Sequence, residues 1–331
     1  MGKKDKKYWI GMDLGGTKLL TALFNRRFKV VSTCKAKVDV SKGLKNFLKT
    51  AQESIREVLK ESEVSIKEVG GIGIGAPGII NAKRGEISFC PNIPFLSGFA
   101  LASELKKISG KPVILGNDVN VGLSGEHHFG VARGYSDVIG IFLGTGVGGA
   151  LILNGKIYEG AFGAAGEIGH MIMEPAGNLC GCGQRGCLET LTGRLAIASE
   201  ASILAARQQA KHLFEEAGTD VLKMKSGVLE KSVRSGDKLL EKIIRERAKK
   251  LGMAMANLVN ILNPEMIVLG GGVIESLGYI MVKEAESTMR KLAMPKLGSF
   301  VKVEAAKLGD HAIIKGAARM AFEKFSGGEK K

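Results

Sequence analysis

The chain has 331 residues, of which 45% are hydrophobic and 24% charged, as in an ordinary globular protein of about two domains. Its net charge of +15 raises a nucleic acid or an anionic surface as a partner, but the basic residues are dispersed, and the dense runs lie only at the two ends. We expect a basic surface around an anion-binding enzyme, with disordered tails at Lys3–Lys7 and 329–331 and no nucleic-acid partner. No apolar run reaches a membrane span of about 18 residues, and no signal peptide precedes the first glycine turn, so the expected location is the cytoplasm.

The first predicted element is a hairpin, "YWIGMDLGGTKLLTALFN", in which two apolar runs flank a glycine turn. Residues 139–154 repeat residues 10–25 without gaps and share the pairs Ile10/Ile139, Gly11/Gly140, Leu14/Leu143, Gly15/Gly144 and Asn25/Asn154. Solenoid repeats have periods of about 20 to 50 residues, so an offset of 129 residues predicts two related domains facing each other.

The remaining predicted elements alternate between strands and helices. In chain order they are a helix over 44–59, a strand and Pro-Gly turn over Gly70–Gly78, a buried strand before Asn117, a helix over Leu239–Leu262 stopped by Pro264, a strand over Met266–Gly270, and a last helix from an Asp310 N-cap to about Phe325. The stretch from about 193 to 237 looks helical but carries no motif. This order predicts the α/β class with largely parallel sheets.

Glycine-rich turns dominate the possible binding motifs. Gly144–Gly149 and Gly73–Gly78 both match G-x-G-x-x-G, but a dinucleotide fingerprint must open a helix, and here one is followed by a strand-like run and the other contains Pro77. A P-loop motif is absent from the sequence. The turns at residues 15–17, 144–146 and 270–272 can still expose backbone N–H groups to an anion, with donors added by Thr17, Thr145 and Lys18. The alternative is that these glycines only form tight hairpins.

Three of the five cysteines lie within eight residues, "CGCGQRGC". Cys180, Cys182 and Cys187 follow His170 at spacings of ten, twelve and seventeen, and three thiolates with one imidazole make a closed tetrahedral zinc set. A Cys180–Cys182 disulfide is disfavoured in the cytoplasm, and a nucleic-acid zinc knuckle lacks interleaved basic and aromatic residues. A hydrolytic zinc site would need an open position for water, which this set does not leave.

Asp118 is the candidate general base. It follows a buried strand, at the end of the sheet where α/β proteins place ligands, and Asn117 and Asn120 flank it with groups that can bind hydroxyls. Spacing alone favours simple turn chemistry for Asn117-Asp118 equally well.

Together these turns resemble the first phosphate, second phosphate and adenosine motifs of the actin-like sugar kinases. "EIGH" followed by "CGCGQRGCLE", between Glu167 and Glu189, is similar to the signature of the ROK family (repressors, open reading frames, kinases), over about residues 8–325. The resemblance implies two ribonuclease-H-like α/β domains flanking a nucleotide and sugar cleft. We place the smaller domain at 1–118 plus 311–331, and the larger one, with the zinc loop, at 119–310.

The resemblance also implies the roles of individual residues. The predicted nucleotide and phosphate set, with Asp13 beside magnesium, is Asp13, Gly15, Gly16, Thr17, Lys18, Thr145, Gly146 and Gly271. The predicted hexose set, with Asp118 as base, is Ala76, Pro77, Gly78, Asn92, Asn117, Asp118, Glu167, His170 and Glu189. His170 would serve both the structural zinc and the sugar.

The expected activity is ATP-dependent phosphorylation of a hexose, with D-glucose first. Fructose, N-acetylmannosamine and N-acetylglucosamine remain alternative substrates, and polyphosphate an alternative donor. A sugar-responsive regulator is the rival within the family, although such proteins carry an N-terminal helix-turn-helix domain for which no room precedes Gly15. A sugar-binding protein that binds nucleic acid through its basic surface is a third reading. Relatives suggest a homodimer or homotetramer.

Overall fold

The computed structural model describes residues 7–326, and the chain divides into two compact units. Unit 1 consists of residues 1–133, 159–165 and 310–331, and unit 2 consists of residues 134–158 and 166–309. The charged ends expected to be tails, at residues 3–6 and 329–331, lie outside the described residues.

Unit 1 is built on a five-stranded sheet in the order β3-β2-β1-β4-β7. The first three strands are antiparallel neighbours, whereas β1, β4 and β7 run parallel. The strands are β1 (Tyr8–Leu14), β2 (Lys18–Asn25), β3 (Val30–Lys37), β4 (Val69–Ala76) and β7 (Val113–Asn117), with β5 (Ile79–Asn81) and β6 (Glu86–Phe89) forming a separate hairpin. The side chains of β1 are buried on both faces, which explains its almost unbroken apolar sequence.

Between residues 7 and 326, the α-helices of unit 1 are α1 (Gly43–Glu61), α2 (Leu101–Ser109), α3 (Asp118–Phe129) and α11 (His311–Phe325). The predicted first helix is confirmed, and it buries Phe47, Ala51, Ile55 and Val58 on one face. Because α3 packs against α11, the unit extends to Arg133, whereas the boundary placed at residue 118 from the sequence would separate β7 from α3.

Unit 2 repeats the sheet of unit 1 in the order β10-β9-β8-β11-β12. Its strands are β8 (Val138–Leu143), β9 (Val147–Leu153), β10 (Lys156–Ile157), β11 (Met266–Gly270) and β12 (Lys302–Ala305). Two antiparallel pairings are again followed by two parallel ones, so the predicted internal repeat is confirmed.

The two hairpins differ by one residue. Leu14 pairs with Leu19 across a four-residue turn, whereas Leu143 pairs with Val147 across three residues. The gap-free alignment is therefore one residue out of register after the turn.

The helices of unit 2 are α4 (Glu189–Thr192), α5 (Arg194–Ala206), α6 (Lys211–Ala217), α7 (Ser226–Arg234), α8 (Lys238–Leu262), α9 (Gly272–Leu292) and α10 (Leu297–Phe300). The predicted long helix is confirmed as α8, which ends at Asn263 in the left-handed conformation, just before Pro264. The stretch 193–237 is helical as expected, because α5 packs on α8 and α7 packs on both α8 and α9.

Asp310 occupies the predicted N-cap position of the last helix, but its side chain does not cap the helix. Asp310 precedes α11, but its backbone is already helical and its side chain makes no cap hydrogen bond. The carboxylate is instead engaged by Lys18, whose Nζ lies 3.1 Å from Oδ1. Over the described part of the chain, no helix is both long and apolar enough to cross a membrane.

Candidate active site

In unit 1 the carboxyl ends of three parallel strands form one edge. Asp13 of β1 pairs with Gly75 of β4, and Ala76 of β4 pairs with Asn117 of β7. The register therefore brings Asp13, the Pro77 turn and Asp118 to the edge where such sheets bind ligands. The predicted site residues of unit 1 are Asp13, Gly15, Gly16, Thr17, Lys18, Ala76, Pro77, Gly78, Asn92, Asn117 and Asp118.

Asn117 caps α3 and thereby positions Asp118. Its Oδ1 accepts the N–H groups of Val119 at 3.0 Å and Asn120 at 3.2 Å, and its Nδ2 donates to the carbonyl of Gly78 at 3.1 Å. Asp118 is the half-buried first residue of the helix, and its Oδ1 accepts the N–H of Val119 at 2.9 Å. The side chain of Asn117 therefore has a capping role, and this cap fixes Asp118 at the end of β7.

Asp13 carries a costly charge. Its side chain is 7% exposed, and burial raises the pKa of the carboxyl to about 6, with the charges of Asp118 and Asp310 adding to the rise and Lys18 opposing it. A cation at this strand end would favour the ionised form. The carboxylates at this strand end are therefore suited to hold a magnesium ion, which would stabilise their charged form.

The first glycine turn is open to solvent. The N–H of Gly15 donates to the carbonyl of Lys18 at 2.8 Å, which closes the turn, while Gly16 and Thr17 are exposed. A Cβ placed on Gly16 would meet no atom within 4 Å. The turn therefore has room for an anion. Lys18, which follows the turn, is held by its ion pair with Asp310.

Asn92 lies exposed in the loop after β6. Its neighbour Cys90 is buried, which raises the pKa of the thiol; the N–H groups of Ile93 and Asn92 oppose that rise, and the charge of Asp118 adds to it. The loop that carries Asn92 therefore belongs to the Asp118 end of unit 1.

Unit 2 brings together its own part of the predicted set. These residues are Thr145, Gly146, Glu167, His170, Cys180, Cys182, Cys187, Glu189 and Gly271. The second glycine turn, Gly144–Gly146, joins β8 to β9, and the N–H of Gly144 donates to the carbonyl of Gly146 at 2.9 Å.

The third glycine turn packs directly against the strand that leads into the second. Gly271 has φ +84°, and a Cβ there would lie 2.5 Å from the carbonyl oxygen of Leu143. Only glycine fits this position. The predicted second phosphate turn and the predicted adenosine turn are therefore neighbours within unit 2.

The four predicted zinc ligands meet. The side-chain donor atoms of His170, Cys180, Cys182 and Cys187 all lie within 4.8 Å of one another. Tetrahedral zinc with bonds of about 2.3 Å to sulfur and about 2.0 Å to nitrogen separates two sulfurs by about 3.8 Å, and sulfur from nitrogen by about 3.6 Å. The Sγ atoms of Cys182 and Cys187 lie 3.7 Å apart, and Cys180 Sγ lies 3.6 Å from His170 Nδ1.

The pKa values of the three cysteines of the cluster shift in different directions. Burial raises the pKa of Cys180 to about 12 and also raises that of Cys187, whereas the backbone N–H of Gln184 lowers that of Cys182. All five cysteines lie within residues 7–326 and are free thiols, so the disulfide alternative does not describe this structure. The residues present fit a structural zinc ion.

His170 presents its second ring nitrogen away from the thiols. Nδ1 faces Cys180, and Nε2 lies 3.9 Å from Glu167 Oε2. The imidazole thus has one nitrogen for a metal and one beside an exposed carboxylate, the arrangement expected for a residue that serves both zinc and a sugar hydroxyl.

Glu189 joins the zinc cluster to the second glycine turn. Its Oε2 accepts the N–H of Val147 at 3.0 Å, and the thiol of Cys180 donates to its Oε1 at 3.6 Å. A Cβ on Gly146 would lie 1.9 Å from Oε2, so only glycine leaves room for this carboxylate. The sequence analysis predicted Glu189 as a sugar ligand, but it did not predict that Glu189 contacts both Val147 and Cys180.

Two residues near these turns were missed as site residues. Asp310 was interpreted as a helix cap, and Arg194 lies in the stretch without a motif. The available signal was that Arg194 follows the cysteine signature closely, five residues after Glu189.

A family model described as "ROK family" matches residues 9–324. The chain is 32% identical over 318 residues to a glucokinase from Thermotoga maritima, covering 96% of this chain and 98% of that one. It is 29% identical to a xylose repressor from Caldicellulosiruptor bescii, over 96% of this chain and 79% of the repressor.

Among solved structures, the fold matches a ROK family glucokinase from Streptomyces griseus in complex with glucose and AMPPNP. The TM-score is 0.83 and the identity 29%, over 96% of this chain and 99% of that one.

Proposed function

The chain belongs to the ROK family and is an ATP-dependent sugar kinase, and we propose that it converts D-glucose to glucose 6-phosphate with Asp118 as the general base. The observation that carries the proposal is the carboxylate edge of unit 1. There Asp118 is the first residue of α3, directly after β7. Asp13 lies near the carboxyl end of β1, and β4 pairs with both of these strands.

Transfer of a phosphoryl group to a hydroxyl requires positioning, charge neutralisation and an acceptor for the hydroxyl proton. In the proposed reaction Asp118 accepts that proton as the sugar oxygen attacks the terminal phosphorus of ATP. The cap made by Asn117 fixes the direction from which the carboxylate is presented.

Asp13 is the proposed holder of magnesium, which supplies charge neutralisation at the phosphates when bound. The open turns at Gly16 and Thr145 are the proposed sources of N–H donors to phosphate oxygens, and Gly271 would flank the adenosine. Burial makes Asp13 hold its proton up to about pH 6, so a cation that displaces this proton is bound more tightly above that pH.

Glu167, His170 and Glu189 are the hexose ligands proposed for unit 2. Asn92 and the 76–78 turn are those proposed for unit 1. Zinc, when bound, would fix the imidazole and the loop between His170 and Cys187 but take no part in phosphoryl transfer. The support for this role is that the four donor atoms lie within 4.8 Å of one another, and that two of their separations, 3.6 and 3.7 Å, match those of tetrahedral zinc.

A sugar-responsive regulator is the second candidate, because a xylose repressor aligns over nearly the whole chain. A coupled assay with ATP or polyphosphate and a panel of glucose, fructose, xylose, N-acetylmannosamine and N-acetylglucosamine separates the two. We expect the highest kcat/KM for glucose with ATP. A higher value for another sugar would replace the substrate, and binding of sugar without turnover of any would favour the regulator.

A further inference from the structure

Arg194 lies between the two nucleotide turns of unit 2. Its backbone N–H donates to the carbonyl of Gly144 at 3.0 Å, which docks the start of α5 on the second glycine turn. Its guanidinium donates through Nη2 to Thr145 Oγ1 and through Nη1 to the carbonyl of Met224, both at 3.4 Å. One side chain therefore spans from the phosphate turn to the loop before α7.

That loop adjoins the third glycine turn. Met224 comes two residues before Ser226, and Ser226 Oγ would lie 3.8 Å from a Cβ built on Gly272. Since Gly271 packs on Leu143, both ends of the Arg194 contact lie beside turns already assigned to the nucleotide.

The charge of Arg194 is not neutralised by a carboxylate. Among the described residues, 7–326, its guanidinium forms no ion pair with a carboxylate, and two of its five N–H donors, those to Met224 and Thr145, make hydrogen bonds. The two hydrogen bonds that it does make are near the long limit for N–H···O contacts, so they hold the group loosely. A half-buried cation with spare N–H donors, next to a turn that can expose its own N–H groups, is suited to bind an anion.

We propose that Arg194 binds the phosphate chain of the nucleotide, an inference that rests on the proposed nucleotide site. The planar guanidinium can grip phosphate oxygens in a bidentate way while Thr145 presents its N–H group to the same chain. Arg194 is then the unit 2 cation that offsets phosphate charge.

The test measures binding of ADP, AMP and adenosine by calorimetry to Arg194→Ala and Arg194→Gln in the full chain. Loss of a charged hydrogen bond of this kind weakens ADP binding by about tenfold to a hundredfold. We expect that loss for ADP, a smaller one for AMP and none for adenosine or D-glucose. Arg194→Lys keeps the charge and restores part of the ADP affinity.

Arg207→Ala is the matched control, because this exposed arginine follows the other end of the same helix, α5. It should leave ADP binding unchanged, and the melting temperatures verify that each variant is folded. ADP affinity within twofold of wild type in Arg194→Gln overturns the inference, and so does an equal loss for ADP and adenosine. If the wild type binds ADP but phosphorylates no sugar, the proposed function fails while the assignment of Arg194 stands.

Discussion

The two sheets share strand order and pairing but differ at one matched position. In unit 1 the last-but-one residue of β1 is Asp13, which pairs with Gly75; in unit 2 the last-but-one residue of β8 is Phe142, which pairs with Gly270. The duplicated backbone forms a glycine turn in both units, but the carboxylate is present only in the first.

The chemistry is therefore divided between the units. Unit 1 carries the acids Asp13 and Asp118, which suit a magnesium ion and proton transfer. Unit 2 carries thiols, an imidazole and Arg194, which suit binding of zinc, sugar and phosphates. We therefore expect substitution of the unit 1 acids Asp13 and Asp118 to lower kcat, and substitution of the unit 2 zinc cluster or Arg194 to change affinities.

The largest expected effect is that of Asp118→Asn. A positioned base contributes about 10²- to 10⁴-fold, so kcat should fall at least about 10²-fold while the affinity for glucose is retained. Steady-state kinetics and calorimetry measure the two quantities. Asp39→Asn is the control, since Asp39 is a surface carboxylate that only caps a short turn. Near-normal turnover by Asp118→Asn would remove the proposed base.

Cys180→Ser tests unit 2. We expect loss of bound zinc and a rise of about tenfold to a hundredfold in the KM for hexose, because His170 is no longer fixed. Because Glu189 also contacts Val147, a smaller rise in the KM for ATP should accompany it. Metal analysis and kinetics measure these effects, with Cys34→Ser as the control thiol of β3.

A large fall in kcat with an unchanged hexose KM in Cys180→Ser would break the division between the units. If Cys180→Ser retained both its zinc and its hexose affinity, the proposed zinc site would be wrong.

Asp13→Asn tests the buried charge of unit 1 through protein stability, and the expected change has a distinctive sign. The folded-state pKa of about 6 lies above the unfolded value of about 3.9, so between these pH values the folded state binds more protons and the wild type loses stability as pH rises. Without ligands or magnesium, the variant should be up to about 3 kcal/mol more stable than wild type at pH 7.

This advantage should vanish below about pH 4, where the carboxyl is protonated in both states. Urea denaturation at pH 7 and pH 4 measures it, and the variant should also lose kinase activity. An equal stability difference at both pH values would contradict the buried, strained charge of Asp13.

Much of the fold follows from local patterns. Apolar runs that end in glycine predicted β1, β4, β8 and β11, and helical periodicity predicted α1 and α8. In these elements the pattern of apolar residues follows the buried face directly. The four side chains that meet in the cysteine cluster could be predicted because their spacing in the sequence is itself a signal, whereas the role proposed for Asp118 depends on the family resemblance.

What could not be predicted depends on contacts between distant segments. Thr145 and Arg194 are 49 residues apart, and only the docking of α5 on the glycine turn brings them together. Asp310 has the predicted N-cap position, but its ion pair with Lys18, 292 residues away in sequence, could not be predicted from local sequence. The unit boundary likewise depends on α3 packing against α11 at the far end of the chain.

Glu189 also sets the size of the segment that can be exchanged between related kinases. A graft limited to the cysteine loop would leave behind the carboxylate that accepts the Val147 N–H, and one ending at Glu189 would separate it from Arg194, which docks on Gly144. If the proposed hexose ligands are correct, the smallest segment to exchange for altering sugar preference runs from Glu167 through Leu195, and a glycine at the position of Gly146 in the recipient keeps room for the Glu189 carboxylate.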